Sequence, residues 1–221
     1  MPPPEAAAGG RPKLDPDPQM RAAIVAAALA VVREDGVRGL GIAQVLGRAR
    51  LGTRAFYRHF DSKDQLIAAV FLEMARAEVQ RLQEKMEGAD PVRAVAAWID
   101  GRLDLAFNSR IRSDLRRMSL EAQSQMFAAP ELIAPAYEEI LRPLVDAVER
   151  GAGLGVFVDV DPTTEARAIH GVVWTNVEGQ WSTRGGDRGE IRDRVQRFCL
   201  RGLGVDADVI ADVVRKGVKW T

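Results

Sequence analysis

Along almost the whole chain, apolar positions recur three and four residues apart, the spacing of one face of a helix. Three of the segments so marked open on the same pair, Asp17-Pro18, Asp90-Pro91 and Asp161-Pro162. An Asp N-cap satisfies orphan amides, and Pro at the first helical position gives up no hydrogen bond. A first helix is predicted over about 18–34, stopping at Asp35-Gly36. A short second one runs from Ile42 to about Ala49 behind Gly41, and a third starts at about Thr53. Ser62-Lys63-Asp64-Gln65 has the form of a capping box, with the Ser62 hydroxyl accepting from the Gln65 amide while the Gln65 side chain reaches back. It launches a long helix through Leu66, Val70, Met74 and Leu82 toward Glu87, closed by Gly88. Further helices are predicted at about 91–107, 113–127, 131–150, 162–181, 189–202 and 207–218. Apart from a brief alternation at Val156-Phe157-Val158, no strand pattern and no internal repeat is present. The expected fold is all-α, with about nine to ten helices.

The stretch from Gly47 to Leu66 carries the chemistry. With Thr53 to Phe60 on a wheel of about 100° per residue, Phe56 and Phe60 share one face. Arg54 and Arg58 share the opposite one, with Ala55 between them and Tyr57 and His59 on the flanks. Such a helix pins two aromatics inward and aims two guanidinium groups outward, which suits docking on a polyanion. An ordinary amphipathic helix with a solvated basic face reads the same way in isolation. The setting separates the two readings. Three short helices with only about three residues between the second and third have helix-turn-helix geometry.

Charge adds to this picture. The chain is neutral overall, yet Arg38, Arg48, Arg50, Arg54, Arg58 and Lys63 face one acid, Asp61, between positions 38 and 63. That stretch has a net charge of +5 and the remainder −5, a basic head on an acidic body. Cys199 is the only cysteine, which rules out an intrachain disulfide and fits a cytoplasmic location. The Pro/Ala/Gly-rich segment 1–13 has no apolar core and does not read as a signal peptide. The longest charge-free apolar run, Ala22 to Val32, is far short of the roughly 20 residues a membrane helix needs, so no membrane association is expected.

Leu-Gly-Thr-Arg-Ala-Phe-Tyr-Arg-His-Phe followed by Ser-Lys-Asp-Gln-Leu resembles the signature of the TetR family of bacterial transcriptional regulators. The likeness covers roughly Pro18 to Val70. Beyond it, the length, the helix count and the approach Gly-Leu-Gly-Val-Phe-Val-Asp-Val-Asp-Pro to a late helix also fit. The resemblance implies a disordered tail (1–14), a helix-turn-helix domain (15–62), a connecting helix (63–88) and a helical ligand-binding and dimerisation domain (89–221). It implies that Thr53, Arg54 and Ala55 lie nearest base edges and that Tyr57, His59 and Lys63 contact phosphate, the last aided by its helix dipole. Ala43 and Gln44 would lie where the family makes backbone or occasional base contacts. Arg54 suits bidentate binding to guanine O6 and N7, or a phosphate; for Arg58 phosphate or solvent is the better expectation.

Two positions depart from the family pattern. Arg50 stands where a turn Gly is usual, and a non-Gly residue at positive φ there costs about 1 kcal/mol. Gly52 replaces the usual Ser or Thr cap, which leaves Thr53 as the residue able to supply one and makes the base-reading register uncertain by one position.

In the later helices, Ala166, Ile169, Val173 and Val177 form one stripe with Trp174 and Trp181 alongside, and Ile191, Val195 and Phe198 form another. Core packing accounts for either stripe. The resemblance implies instead that Ile169, Val173, Val177, Trp181, Ile191, Val195 and Phe198 face a second copy in a homodimer. Trp98, Phe107, Met118, Met126, Phe127, Tyr137 and Trp174 are core candidates that could also line a pocket for an apolar or aromatic effector. Were the effector charged, Arg102, Arg112 and Arg167 would be the candidates instead.

The remaining motifs have plainer readings. Gly151-Ala152-Gly153-Leu154-Gly155 follows a helix rather than a strand and reads as a helix stop, not a phosphate loop. His170 has no second ligand at metal spacing and reads as packing or surface. No cofactor, metal site or catalytic constellation is expected, and the chain does not read as an enzyme. The expectation is a ligand-responsive regulator, most simply a repressor, on a pseudo-palindromic double-stranded operator. The alternative is a helical small-molecule-binding or scaffold protein with a vestigial head.

Overall fold

The computed structural model describes residues 17–107, 130–183 and 185–216. Among them are nine helices: α1 (Pro18–Gly39), α2 (Ile42–Ala49), α3 (Thr53–His59), α4 (Lys63–Met86), α5 (Pro91–Phe107), α6 (Pro130–Gly153), α7 (Pro162–Thr183), α8 (Arg188–Gly202) and α9 (Ala207–Lys216). The fold is all-α. Met118, Met126, Phe127 and Arg112, the helix expected at 113–127 and the tail 1–14 lie outside the described residues.

The caps behave as their chemistry requires. The Asp17 carboxylate accepts from the Gln19 amide at 2.9 Å, with Pro18 as the first helical residue. The Asp90, Asp161 and Asp187 carboxylates accept from the amides of Arg93, Thr164 and Glu190 at 2.8–3.0 Å. Gly36, at φ +77°, breaks α1 where its end was expected, but one more turn follows before Gly39.

Two apolar cores stack along α4. The first gathers Ile24, Ala28 and Val31 of α1, Val45 of α2, Phe56 of α3, Phe60, and Leu66, Val70 and Phe71 of α4. Ile133 and Ala136 of α6 join it, so the body reaches into the head. The second core surrounds α5, which is buried along nearly its whole length, as a central helix must be. Leu82 of α4, Leu144 and Val148 of α6, Ile169, Val173 and Val177 of α7, and Val195 and Leu200 of α8 pack around it. The first half of the expected connecting helix is therefore part of the head's own core, because Leu66, Val70 and Phe71 cover the same apolar patch as Phe56 and Phe60.

Close approaches hold the body together. A Cβ at Gly101 would lie 2.7 Å from Leu82 Cδ2, so α4 and α5 meet where α5 has no side chain. A Cβ at Gly151 would lie 2.1 Å from the Phe157 ring, which folds back over the end of α6. The glycine-rich stretch is thus a helix stop, with Val156 and Phe157 amides both donating to the Gly151 carbonyl. The short alternation around Phe157 forms no strand among the described residues.

Candidate nucleic-acid interface and ligand-facing cluster

The turn between α2 and α3 is built by backbone. Arg50 is left-handed, at φ 54° and ψ 41°, and caps α2. The next amide, Leu51, donates to the Leu46 carbonyl at 2.9 Å, which closes α2 in a Schellman-like end. The chain then extends through Gly52, the N-cap of α3, which offers no side-chain cap. Thr53 is the first helical residue, so it does not act as the cap and the register of α3 is the one read from the pattern.

Phe56 and Phe60 anchor α3 from below, 0% and 1% exposed, with ring centroids 5.7 Å apart. Arg21 of α1 lies 5.1 Å over the Phe60 ring. On the other side Thr53, Arg54, Tyr57 and Arg58 are exposed, Tyr57 by 62%, and Ala55 is half-buried between them. Lys63 is half-buried at the first position of α4. The α4 cap holds as expected at Ser62, whose hydroxyl accepts from the Gln65 amide at 3.1 Å. The Gln65 side chain reaches one residue further back, to the Asp61 amide at 2.7 Å.

Three head residues are placed differently from what sequence implied. The His59 ring is turned in, with Nδ1 and Nε2 both shut off from solvent and without a hydrogen-bond partner. A phosphate contact from it requires the ring to rotate outward. Gln44 is exposed but its amide donates to Asp35 at 2.8 Å. Arg48 forms a two-pronged ion pair with Glu34. The +5 stretch is therefore partly answered by two carboxylates at the end of α1, just outside the window over which the charge was counted.

Residues 24–70 match the sequence profile of the family described as bacterial regulatory proteins, tetR family. Over those residues the chain is similar to the tetR family. Over 95 residues it is 29% identical to the HTH-type nicotine-responsive transcriptional repressor of Paenarthrobacter nicotinovorans. That match takes in 43% of this chain and about half, 47%, of the repressor. Solved structures of the same fold include RolR in complex with resorcinol, at TM-score 0.60 and 20% identity, covering 91% of this chain and 96% of RolR. The FadR regulator of Bacillus subtilis with stearoyl-CoA superposes at TM-score 0.61 and 19% identity, over 82% of this chain and 98% of FadR. TetR regulators are not a family of enzymes.

In the helical body, three of the residues expected to line a pocket come together. Trp98 of α5, Tyr137 of α6 and Trp174 of α7 surround His170. The His170 ring is 6.2 Å from Trp98, edge-on to Tyr137 at 5.0 Å and stacked on Trp174 at 6.1 Å. Tyr137 Oη is 3.5 Å from His170 Nδ1. Trp174 meets Trp181 edge to face at 5.5 Å. Phe107 packs on the same core, half-buried. His170 reads as packing or surface in the sequence and is the centre of the group. Burial, then the nearby Arg102 charge, lowers its pKa to about 3, so the ring is neutral.

Beneath this cluster Arg102, marked in the sequence only as a candidate for a charged effector, joins buried Glu78, Asp100 and Asp104 with half-buried Arg81, Lys85 and Arg188. Arg102, 5% exposed, donates to Glu78 of α4 at 2.9 Å and lies 6.0 Å from the Trp98 ring. Arg81 grips the same Glu78 through two nitrogens at 2.9 and 2.8 Å and donates to the Gly101 carbonyl at 2.7 Å. Lys85 and Arg188 both hold Asp104, and Arg188 also holds Asp100. Burial alone would raise the Glu78 carboxyl; Arg81 and Arg102 more than offset it and hold it below the usual range. At Asp100 burial prevails and the carboxyl is raised. Arg167 is exposed on α7.

The stripe expected at the dimer interface lies mostly inside one chain. Ile169, Val173, Val177, Trp181, Ile191 and Val195 are 0–8% exposed in the single protomer and form its second core. An α7 flanked by α5, α6 and α8 buries its large apolar side chains against those neighbours. Phe198 alone of the seven points outward, at 64% exposure. The exposed side of α7 carries Arg167 among small residues: Thr164, Ala168, Gly171, Thr175 and Gly179.

Proposed function

We propose that this protein is a ligand-responsive transcriptional repressor that binds a pseudo-palindromic DNA operator as a homodimer, in the cytoplasm. The observation that carries the reading is α3 itself, anchored by buried Phe56 and Phe60 while Thr53, Arg54, Tyr57 and Arg58 stand free. Thr53, Arg54 and Ala55 reach base edges in the major groove; Tyr57, Arg58 and Lys63 take phosphates. His59 joins them once its ring turns out, and Gln44 once it releases Asp35. Residues 17–62 with the first half of α4 act as the DNA-reading head, and the remainder senses ligand and dimerises.

Two copies meet through the exposed small-residue side of α7 and through Phe198 of α8. Their two α3 helices then reach successive major grooves about 34–36 Å apart. The effector is a small apolar or aromatic compound held at Trp98, Phe107, Tyr137, His170 and Trp174. Relatives named for nicotine, resorcinol and stearoyl-CoA support such a ligand. Its binding favours a body conformation whose heads miss the operator spacing.

The rival reading is a ligand-binding helical protein with an idle head. Salt separates them. If the head docks on phosphates, log affinity for duplex DNA falls linearly with log salt, by about 0.9 for each phosphate contact. Binding that is absent at low salt, or insensitive to salt, would leave the rival standing.

A further inference from the structure

The outer side of α8 is basic. Arg194 and Arg201 are exposed there, with half-buried Arg197 and exposed Phe198 between them. Positions three, four and seven residues apart share one helix face. Beyond the end of α8 the surface turns acidic. The Val158 amide donates to the Leu203 carbonyl at 3.4 Å, so the loop between α6 and α7 lies against the turn from α8 into α9. Asp159 of that loop, Asp206 of that turn and Asp208 in the first turn of α9 are all exposed. We infer that this face docks on a second copy of the chain, with the arginines of one protomer against the aspartates of the other and Phe198 and Val158 covered between them. This rests on the homodimer reading above and specifies its contacts.

The first ground is that these charges have no partner inside the protomer. Among the described residues the ion pairs of α8 and α9 are those centred on Arg188, Arg192 and Asp212, and none of the six side chains takes part in one. Glu190, a turn before Arg194, is exposed and makes no ion pair with it. Elsewhere exposed arginines do find carboxylates in the chain, as Arg48, Arg93 and Arg142 find Glu34, Asp90 and Glu139.

The second ground is the order of the signs. A two-fold axis brings the same patch to both sides of an interface, so a face of one sign sets like charges opposite each other. A face that is basic at one end and acidic at the other escapes this. Turned about the axis, its basic end lies on the acidic end of the first copy, and each contact occurs twice. An anionic partner of another kind would suit the arginines but meet repulsion from the three aspartates beside them.

The third ground is apolar surface. Ion pairs left in water contribute little. Phe198 and Val158 are 64% and 59% exposed, and covering them removes apolar area from water and shields the neighbouring charges.

The test uses the full chain, with association read by sedimentation and folding by circular dichroism. Between about 50 mM and about 500 mM salt the dissociation constant of the wild-type dimer should rise about tenfold, as charge-steered association requires. Two double variants reverse opposite ends: Arg194→Glu with Arg201→Glu, and Asp159→Asn with Asp208→Lys, where Asn suits the left-handed conformation of Asp159. Each alone should be folded and monomeric, and an equimolar mixture of the two should recover the dimer. Should either variant fail to fold, the salt series on the wild type still decides. A wild-type dimer indifferent to salt, variants that dimerise as the wild type does, or a mixture that stays monomeric would overturn the inference. Where the wild type is dimeric but any of these results is found, only the contacts fall. A wild type that is monomeric at every salt concentration removes the homodimer reading and this inference together, while DNA binding by the head is measured separately.

Discussion

Arg48 clasps Glu34 with two nitrogens on two carboxylate oxygens, at 2.8 and 2.6 Å, and so ties α2 to the end of α1. The hydrogen bond from Arg48 holds the Glu34 carboxyl below its usual range, but the pair faces solvent and contributes little to stability. Its larger effect is to cancel one positive charge of the head. Glu34→Gln should leave the melting temperature nearly unchanged and strengthen binding to random duplex DNA at low salt, with the gain vanishing at high salt. Anisotropy titrations at two salt concentrations check this; equal affinities at low salt would show that Arg48 lies away from the phosphates.

Arg50 holds a left-handed conformation that glycine adopts without strain. Arg50→Gly should therefore raise stability, by about 1 kcal/mol at most, because the extra freedom of glycine in the unfolded chain offsets part of the relief. Urea denaturation measures it. A clear loss of stability would mean that the turn does not have the left-handed form.

The two kinds of DNA contact separate by mutation. Tyr57→Ala and Lys63→Ala should weaken selected and random DNA alike, since phosphate carries no sequence. Arg54→Ala should flatten the preference at one base position per half-site, at a cost of about 1–3 kcal/mol in discrimination. Selection from randomised duplexes reads this directly, and an unchanged motif from the Arg54 variant would assign that arginine to phosphate.

Phe198 and Val195 sit one turn apart on α8 with opposite surroundings, 64% and 1% exposed. Phe198→Glu should dissociate the proposed dimer while helicity persists, whereas Val195→Glu buries a charge in the protomer's own core and should unfold it. Sedimentation and circular dichroism distinguish the two. A wild-type protein that sediments as a monomer at micromolar concentration removes the two-headed operator arrangement.

His170 gives the body an acid-sensitive point. Burial, with Arg102 beside it, lowers its pKa from 6.5 to about 3. A depressed folded-state value means that its contribution is complete above pH 6.5 and is lost as pH falls from there toward 3. The slope approaches about 1.4 kcal/mol per pH unit within that window. His170→Phe should flatten stability between pH 6.5 and 5, before the carboxylates titrate. Urea melts across that range test it, and an equal slope in the variant would place the titration elsewhere.

Elements governed by neighbours along the chain are legible in the amino-acid sequence by itself. The Asp-Pro starts, the Ser62 cap, the stop at Gly88 and the pairing of Phe56 with Phe60 all depend on residues within one or two turns. The left-handed turn at Arg50 is expected only from the family resemblance, which puts a glycine there. The aromatic residues Trp98, Tyr137 and Trp174 are recognisable as a set because bulky side chains on amphipathic helices must share a limited interior.

Relations across large separations are not legible there, and those are the ones that define the body. A stripe such as Ile169, Val173 and Val177 has the same period whether it faces its own α5 or a second protomer; only packing shows that it faces inward and leaves Phe198 out. His170 looks solitary along the chain because its aromatic partners come from α5, α6 and α7. Glu78 and Asp104 read as ordinary helical charges, and Arg102 only as one of three arginines for a charged effector, until α4, α5 and α8 close around them. Periodicity states which side of a helix is apolar, but not what that side meets, because burial and charge pairing depend on contacts between segments distant in the chain.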